Sequence, residues 1–149
     1  MTAPRMRFLQ HAPDVYEATL ALTQAAKKDL DPTLVELVLL RASQVNHCAF
    51  CIDMHATDAR KAGESEQRIN LLNAWEEAGE IYTGKERAAL ALTEAVTVLT
   101  DGFVPDEVFE RAAAHFSEPE LARLVSLIAT INVWNRINVA FRTPVGRMR

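Results

Sequence analysis

The sequence predicts an all-α protein folded as one domain over residues 1–149. Three observations carry this. Gly and Pro are scarce, at 5 and 6 of 149 residues. Apolar residues recur at helical spacing, and no alternation of period two runs long enough to build a sheet. The breaks between apolar runs carry helix start and stop signals. A chain of this length that is 49% apolar and 24% charged can bury a core and has the composition of a globular protein.

About seven helices are expected. Residues 1–12 read as an irregular arm. A first helix follows from Asp14 to Lys28, with Val15, Ala18, Leu22 and Ala25 on one face. Asp31-Pro32 restarts the chain, with Asp31 as N-cap and Pro32 in the first turn. That second helix runs to Val45, and Asn46-His47 breaks it. The third runs from Cys48 to Ala62 and stops at Gly63. Ser65 opens a fourth segment to Trp75. Thr83-Gly84-Lys85-Glu86 is a capping box, because Thr83 can accept from the first turn while Glu86 reaches back. Its helix ends near Leu99. Asp101-Gly102 is a turn, Pro105 begins a helix to His115, and Ser117-Glu118-Pro119-Glu120 is a second capping box. The last helix runs to Arg142, before Pro144.

The bulk properties exclude several functions. A net charge of −4 is wrong for a phosphate-binding surface, and Arg142, Arg147 and Arg149 make too short a basic tail. The most apolar segment, Leu121 to Val133, is interrupted by Arg123, Ser126, Thr130 and Asn132, so no membrane span is expected. Behind Arg5 and Arg7, the residues His11, Pro13, Asp14 and Glu17 break any leader-like apolar stretch. The expected location is the cytoplasm. Two cysteines three apart close almost no loop, so the pair reads as redox-active or metal-binding.

The chemistry concentrates in Asn46-His47-Cys48-Ala49-Phe50-Cys51-Ile52-Asp53-Met54-His55. At 100° per residue, Cys48, Cys51 and His55 share one helical face. Cys48 falls in the first turn, where the helix dipole favours an anion and so the reactive thiolate. His55, one turn beyond Cys51, can exchange protons with it. Glu36 lies in the apolar run Leu34-Val35-Glu36-Leu37-Val38-Leu39-Leu40, where desolvation raises a carboxyl toward the range of a useful base. The short connection folds the second helix back on the third and brings Glu36 toward the cysteines. His47 points off the shared face and reads as structural; His11 and His115 read as surface residues. Each member also has a plainer reading: an ion-paired Glu, a surface His, an incidental CxxC. Zinc held by Cys48, Cys51, His55 and Glu36 is the rival, although zinc sites built on CxxC ordinarily bring a second ligand pair, absent here. A thioredoxin motif would need a strand before the pair.

The spacing of Glu36, Cys48, Cys51 and His55 resembles the signature of the alkylhydroperoxidase D-like (AhpD-like) carboxymuconolactone decarboxylase superfamily. So do the run from Cys51 to Gly63 and the segment Asn132-Val-Trp-Asn-Arg-Ile-Asn-Val-Ala-Phe-Arg-Thr-Pro144. The likeness covers most of residues 14–144. It implies an all-α fold and thiol peroxidase chemistry without a cofactor or metal: Cys51 peroxidatic, Cys48 resolving, Glu36 and His55 a proton relay. It also implies a hydroperoxide substrate and a dithiol reductant, lipoyl-bearing or thioredoxin-like. Phe50 departs from the peroxidase branch, which has His before the second Cys; the retained pair departs from the decarboxylase branch, which lacks it. A general disulfide reductase or redox sensor would use the same pair, and a structural zinc protein is the third reading.

Asn132, Asn135, Asn138 and Arg142 form a polar stripe among Ile128, Ile131, Val133, Trp134, Ile137 and Phe141. If buried, the stripe must find partners, on a second subunit or on the active-site helix. With the family resemblance, this gives the expectation of a homo-oligomer, a trimer or hexamer.

Overall fold

The computed structural model describes residues 3–146. Among these there are eight α-helices and no strand: α1 Phe8–His11, α2 Pro13–Lys27, α3 Pro32–Val45, α4 Ala49–Lys61, α5 Glu66–Leu71, α6 Gly84–Thr97, α7 Asp106–Ala113 and α8 Glu118–Phe141. Two single turns of 3₁₀ helix, Leu72–Ala74 and Gly79–Ile81, lie between α5 and α6. The local signals behave as the sequence predicts. Asp31 accepts from the Leu34 N–H, and both capping boxes close, Thr83 with Glu86 and Ser117 with Glu120.

Two expectations need correction. The arm is not irregular throughout, because Phe8–His11 forms a helical turn ahead of Pro13. That turn has no side-chain cap; the Phe8 ring holds it by stacking on Phe141 at 5.9 Å and meeting Tyr16 at 6.4 Å. The fourth segment is not one helix to Trp75. It tightens after Leu71 into a 3₁₀ turn, which buries Leu72 and Trp75 together and lets the indole N–H donate to Glu94, 2.7 Å.

α3 is the central helix. It packs against α4, α6 and α8, while α2 packs along α8. Leu34, Val35, Val38, Leu39 and Ala42 of α3 enter one core with Leu92, Leu124, Leu127, Ile128 and Ile131. Leu37 and Leu40 enter a second with Ala59, Ile69, Leu72, Trp75, Tyr82 and Leu90. A helix placed between two cores must be apolar nearly all round, which explains the run around Glu36. Cys48, Phe50 and Cys51 form a small cluster of their own.

By length and composition α8 meets the test for a bilayer span that its polar interruptions were expected to fail, with a mean hydropathy of 1.3 over its best window. Its most apolar side chains, Leu124, Leu127, Ile128 and Ile131, are instead committed to the protein core at 1% exposure or less.

Truncating Leu124, which is fully buried, should leave a cavity under α3. Leu124→Ala is expected to lower unfolding stability by about 2–5 kcal/mol in a urea titration. Thr83→Ala, which removes only the α6 cap, should cost about 1 kcal/mol in the same measurement.

Candidate active site

The cysteine pair is placed by the way α3 ends. Asn46 is the C-cap and His47 follows with φ 54°, in the left-handed region. The His47 N–H donates to Gln44 O at 3.1 Å and the Cys48 N–H to Ser43 O at 3.0 Å. This is a Schellman closure with His47 where glycine is usual. The structural reading of His47 therefore stands, since its backbone turns the chain while its side chain is exposed.

Cys48 is the N-cap of α4 rather than a member of its first turn. Its sulfur accepts from the Cys51 N–H at 3.4 Å, so it still faces the positive end of the helix dipole. Cys48 and Cys51 are joined as a disulfide with Cα atoms 5.3 Å apart. Both are covered, at 1% and 0% exposure.

The other two predicted residues meet nearby. His55 Nδ1 lies 3.1 Å from Glu36 Oε2, the contact joining α4 to α3. In a neutral imidazole, a carboxylate facing Nδ1 favours the tautomer with the proton there and leaves Nε2 as the acceptor. Nε2 is buried and has no hydrogen-bond partner, on the helix face that His55 shares with Cys51 one turn earlier. Glu36 is not isolated among apolar groups as the sequence implied. Its other oxygen is 3.8 Å from the ammonium of Lys27 at the end of α2. Sequence reading missed Lys27, because nothing local links α2 to Glu36.

Asp58, one turn beyond His55, adds a second carboxylate. The ligand atoms of Glu36, His55 and Asp58 lie within 4.8 Å of one another, a possible set of cation ligands. It differs from the four-residue zinc set, whose sulfurs are here bonded to each other.

The asparagine stripe of α8 finds its partners inside the chain, at the turn that presents the cysteines. Asn46 Nδ2 donates to Asn132 Oδ1 and to Asn135 Oδ1, 2.9 Å each. Asn135 then donates to Ser43 Oγ and Asn132 to Thr97 Oγ1, both at 3.0 Å. One turn on, Asn138 Nδ2 lies 3.7 Å from Cys51 Sγ. Arg142 stands apart from them as the exposed, left-handed C-cap of α8. The stripe is therefore no argument for a second subunit. Asn46 escaped the sequence reading, which treated it only as a helix break.

The model of the Carboxymuconolactone decarboxylase family matches residues 13–95, which include all four predicted site residues. The chain belongs to the carboxymuconolactone decarboxylase family. YdfG of Bacillus subtilis (strain 168) is 42% identical over 137 residues, 91% of this chain and 92% of YdfG. YnjA of Escherichia coli (strain K12) is 31% identical over 118 residues, which is 79% of this chain and 64% of YnjA. The fold is the AhpD-like one. A crystal structure from Agrobacterium tumefaciens, of a protein of unknown function suggested to be an antioxidant defence protein AhpD, superposes with TM-score 0.92 at 40% identity. It covers 96% of this chain and 98% of that one. The debrominase Bmp8 shares the fold at 20% identity, TM-score 0.82, over 93% of this chain and 75% of its own.

Replacing Asn46 by Ala should free the cysteine turn from α8 and leave the Asn135 oxygen buried without a donor. Asn46→Ala is expected to cost about 1–3 kcal/mol in chemical denaturation, with faster amide exchange at His47 and Cys48 by NMR or mass spectrometry.

Proposed function

We propose that this family member is a thiol-dependent peroxidase of the alkylhydroperoxidase type. The observation that carries the reading is His55, held through Nδ1 by Glu36 and left with a buried, unpartnered Nε2 one turn from Cys51. A base so placed takes the Cys51 proton and returns it to the leaving group. In the reduced enzyme His55 Nε2 accepts the Cys51 thiol proton. The Cys51 thiolate attacks the outer oxygen of the hydroperoxide, the O–O bond breaks, and the departing alkoxide takes the proton from His55. The products are an alcohol and a Cys51 sulfenic acid. The Cys48 thiol attacks that sulfenic sulfur, water leaves, and the disulfide described above forms. An external dithiol, lipoyl-bearing or thioredoxin-like, reduces it by exchange and is itself oxidised. Such a cycle belongs in the cytoplasm, where thiol pools are reducing.

Dipole logic favours Cys48 as the more acidic thiol. Proton delivery favours Cys51, and general acid–base help, about 10²–10⁴-fold, outweighs a small difference in acidity. The assignment of Cys51 as the attacking sulfur follows.

A second reading keeps the pair as a disulfide reductase or redox sensor without a peroxide substrate. It draws on the near-complete cover of both sulfurs and on Phe50 in place of the His of the peroxidase branch.

The chain is also proposed to assemble with copies of itself, through the face between α2 and α8 rather than the asparagine stripe. Two adjoining grooves of about 370 Å³ each run along it, sharing Leu22. Val15, Leu22 and Val133 are 47%, 49% and 40% exposed there, an apolar strip of the kind oligomers cover.

Single-turnover peroxide reactions with a sulfenic-acid trap decide the mechanism. Cys51→Ser should not react. Cys48→Ser should react once and stop as a trapped Cys51 sulfenic acid. Glu36→Gln should be slower by about 10²–10⁴-fold with both thiols intact. Trapping on Cys48 alone would reverse the roles, and disulfide exchange without peroxide consumption would select the second reading. Because Bmp8 shares the fold and a variant of it has been crystallised with 2,3,4-tribromopyrrole, that bromopyrrole belongs in the substrate panel. For assembly, light scattering at micromolar concentration should give an oligomer for the parent protein and a smaller mass for Leu22→Glu; a monomeric parent ends that proposal.

A further inference from the structure

Asn138 is the group outside the predicted constellation that reaches a reacting atom. It lies on α8, and its amide nitrogen is 3.7 Å from Cys51 Sγ, within range for a weak N–H···S contact. The same nitrogen donates to the Trp134 carbonyl at 2.9 Å. That second bond fixes which end of the amide faces the sulfur. A carbonyl accepts only from N–H, so reversing the amide would set two oxygens against each other and lose the bond. One N–H is thus committed to Trp134, and the other remains for Cys51.

The donor is held in place from three directions. The Trp134 indole N–H donates to Thr23 Oγ1 at 2.9 Å, and Tyr16 meets the indole edge-on at 5.3 Å, which fixes α8 against α2. Asn46 binds Asn132 and Asn135 on the turns before Asn138. On the following turn Phe141 stacks with Phe8. A donor this constrained needs little rearrangement when charge appears on the sulfur.

We propose that Asn138 is a catalytic residue that stabilises the Cys51 thiolate by donating its free amide N–H to Sγ. Against a disulfide sulfur the contact is weak. Against a thiolate it becomes a charge-assisted hydrogen bond, so its strength appears only in the reduced, reactive state. It also makes the two cysteines unequal. Cys48 takes its help from the helix end, whereas Cys51 takes its help from a side chain of another helix. The charged groups on the elements around Cys51 include His55, Asp53 and Asp58 on its own helix, Glu36 from α3 with Lys27 of α2 beyond it, and Arg136 on α8, which is held by Asn132. On α5, Glu66 pairs with Arg60, and Arg68 pairs with Glu64 and Glu86. The Asn138 amide stabilises the thiolate without adding a charge to this set.

The acidity of Cys51 needs no substrate to be read; only the consequence for turnover rests on the peroxidase reading. The test is an ultraviolet thiolate titration of full-length protein in the Cys48→Ser background, where no disulfide forms. Asn138→Leu should raise the Cys51 thiol pKa by about one unit. Asn138→Asp, nearly the same shape, should raise it further, because a carboxylate repels the thiolate. In the reciprocal Cys51→Ser background the same Asn138 substitutions should leave Cys48 where it was; a general disturbance of the site would move both thiols. Alkylation by iodoacetamide at neutral pH should slow about tenfold in Cys48→Ser/Asn138→Leu, with the deficit closing once the pH exceeds the raised thiol pKa. An unchanged Cys51 titration in both Asn138 variants, or equal shifts at Cys48 and Cys51, overturns the proposal. Failure of the parent protein to consume any hydroperoxide overturns the peroxidase reading instead, and the titration still decides Asn138.

Discussion

The site depends on one polar contact between distant parts of the chain. The Asn46 amide bridges two asparagine oxygens of α8, 86 and 89 residues away. Asn135 is 1% exposed, and so deep a polar group must be paired. The same bond that satisfies it also fixes the turn between α3 and α4. That turn ends α3 by a Schellman closure and starts α4 with the sulfur of Cys48 as its cap. The last helix therefore meets the site twice, by anchoring the cysteine turn and by carrying Asn138 to Cys51.

The second requirement is that α3 be central. Its apolar residues enter two cores at once, with Glu36 as an acidic side chain set among them. Glu36 is partnered on both oxygens, Lys27 at 3.8 Å from one and His55 at 3.1 Å from the other. The line of contacts from Lys27 through Glu36 to His55 thus spans three helices, and its geometry is set by core packing rather than by flexible loops. Elements packed this way hold a hydrogen bond within the tolerance that proton transfer needs. Covering the disulfide has the opposite consequence. With both cysteines at 1% exposure or less, the proposed exchange with an external dithiol requires local opening of the small Cys48, Phe50 and Cys51 cluster.

Much of this was legible in the chain. Capping boxes, Pro at first turns and Gly63 after α4 act within a few residues, so they mark helix ends without tertiary information. The four-residue signature is legible because Cys51 and His55 lie one turn apart on one helix and Glu36 lies on the helix before it. The helical turn Phe8–His11 was not legible, because it has no cap and is ordered by the ring of Phe141 at the other end of the chain. The 3₁₀ turn after Leu71 was missed for the same reason, since Trp75 is drawn inward by Glu94 of α6.

The sequence by itself determined the helices and the chemical types at the site: two thiols, an imidazole and a carboxylate at spacings that one helix and its predecessor can align. Only the tertiary structure decided what surrounds them. Lys27 comes to Glu36, and Asn46 and Asn138 come to the cysteine turn and to Cys51. It also decided that the α8 stripe turns inward. The physical reason is that helix periodicity is a local property, written in residues three or four apart. Partner choice for a buried polar group is set by which helices pack together, and here the two partners of Asn135 lie 89 and 92 residues away in the chain.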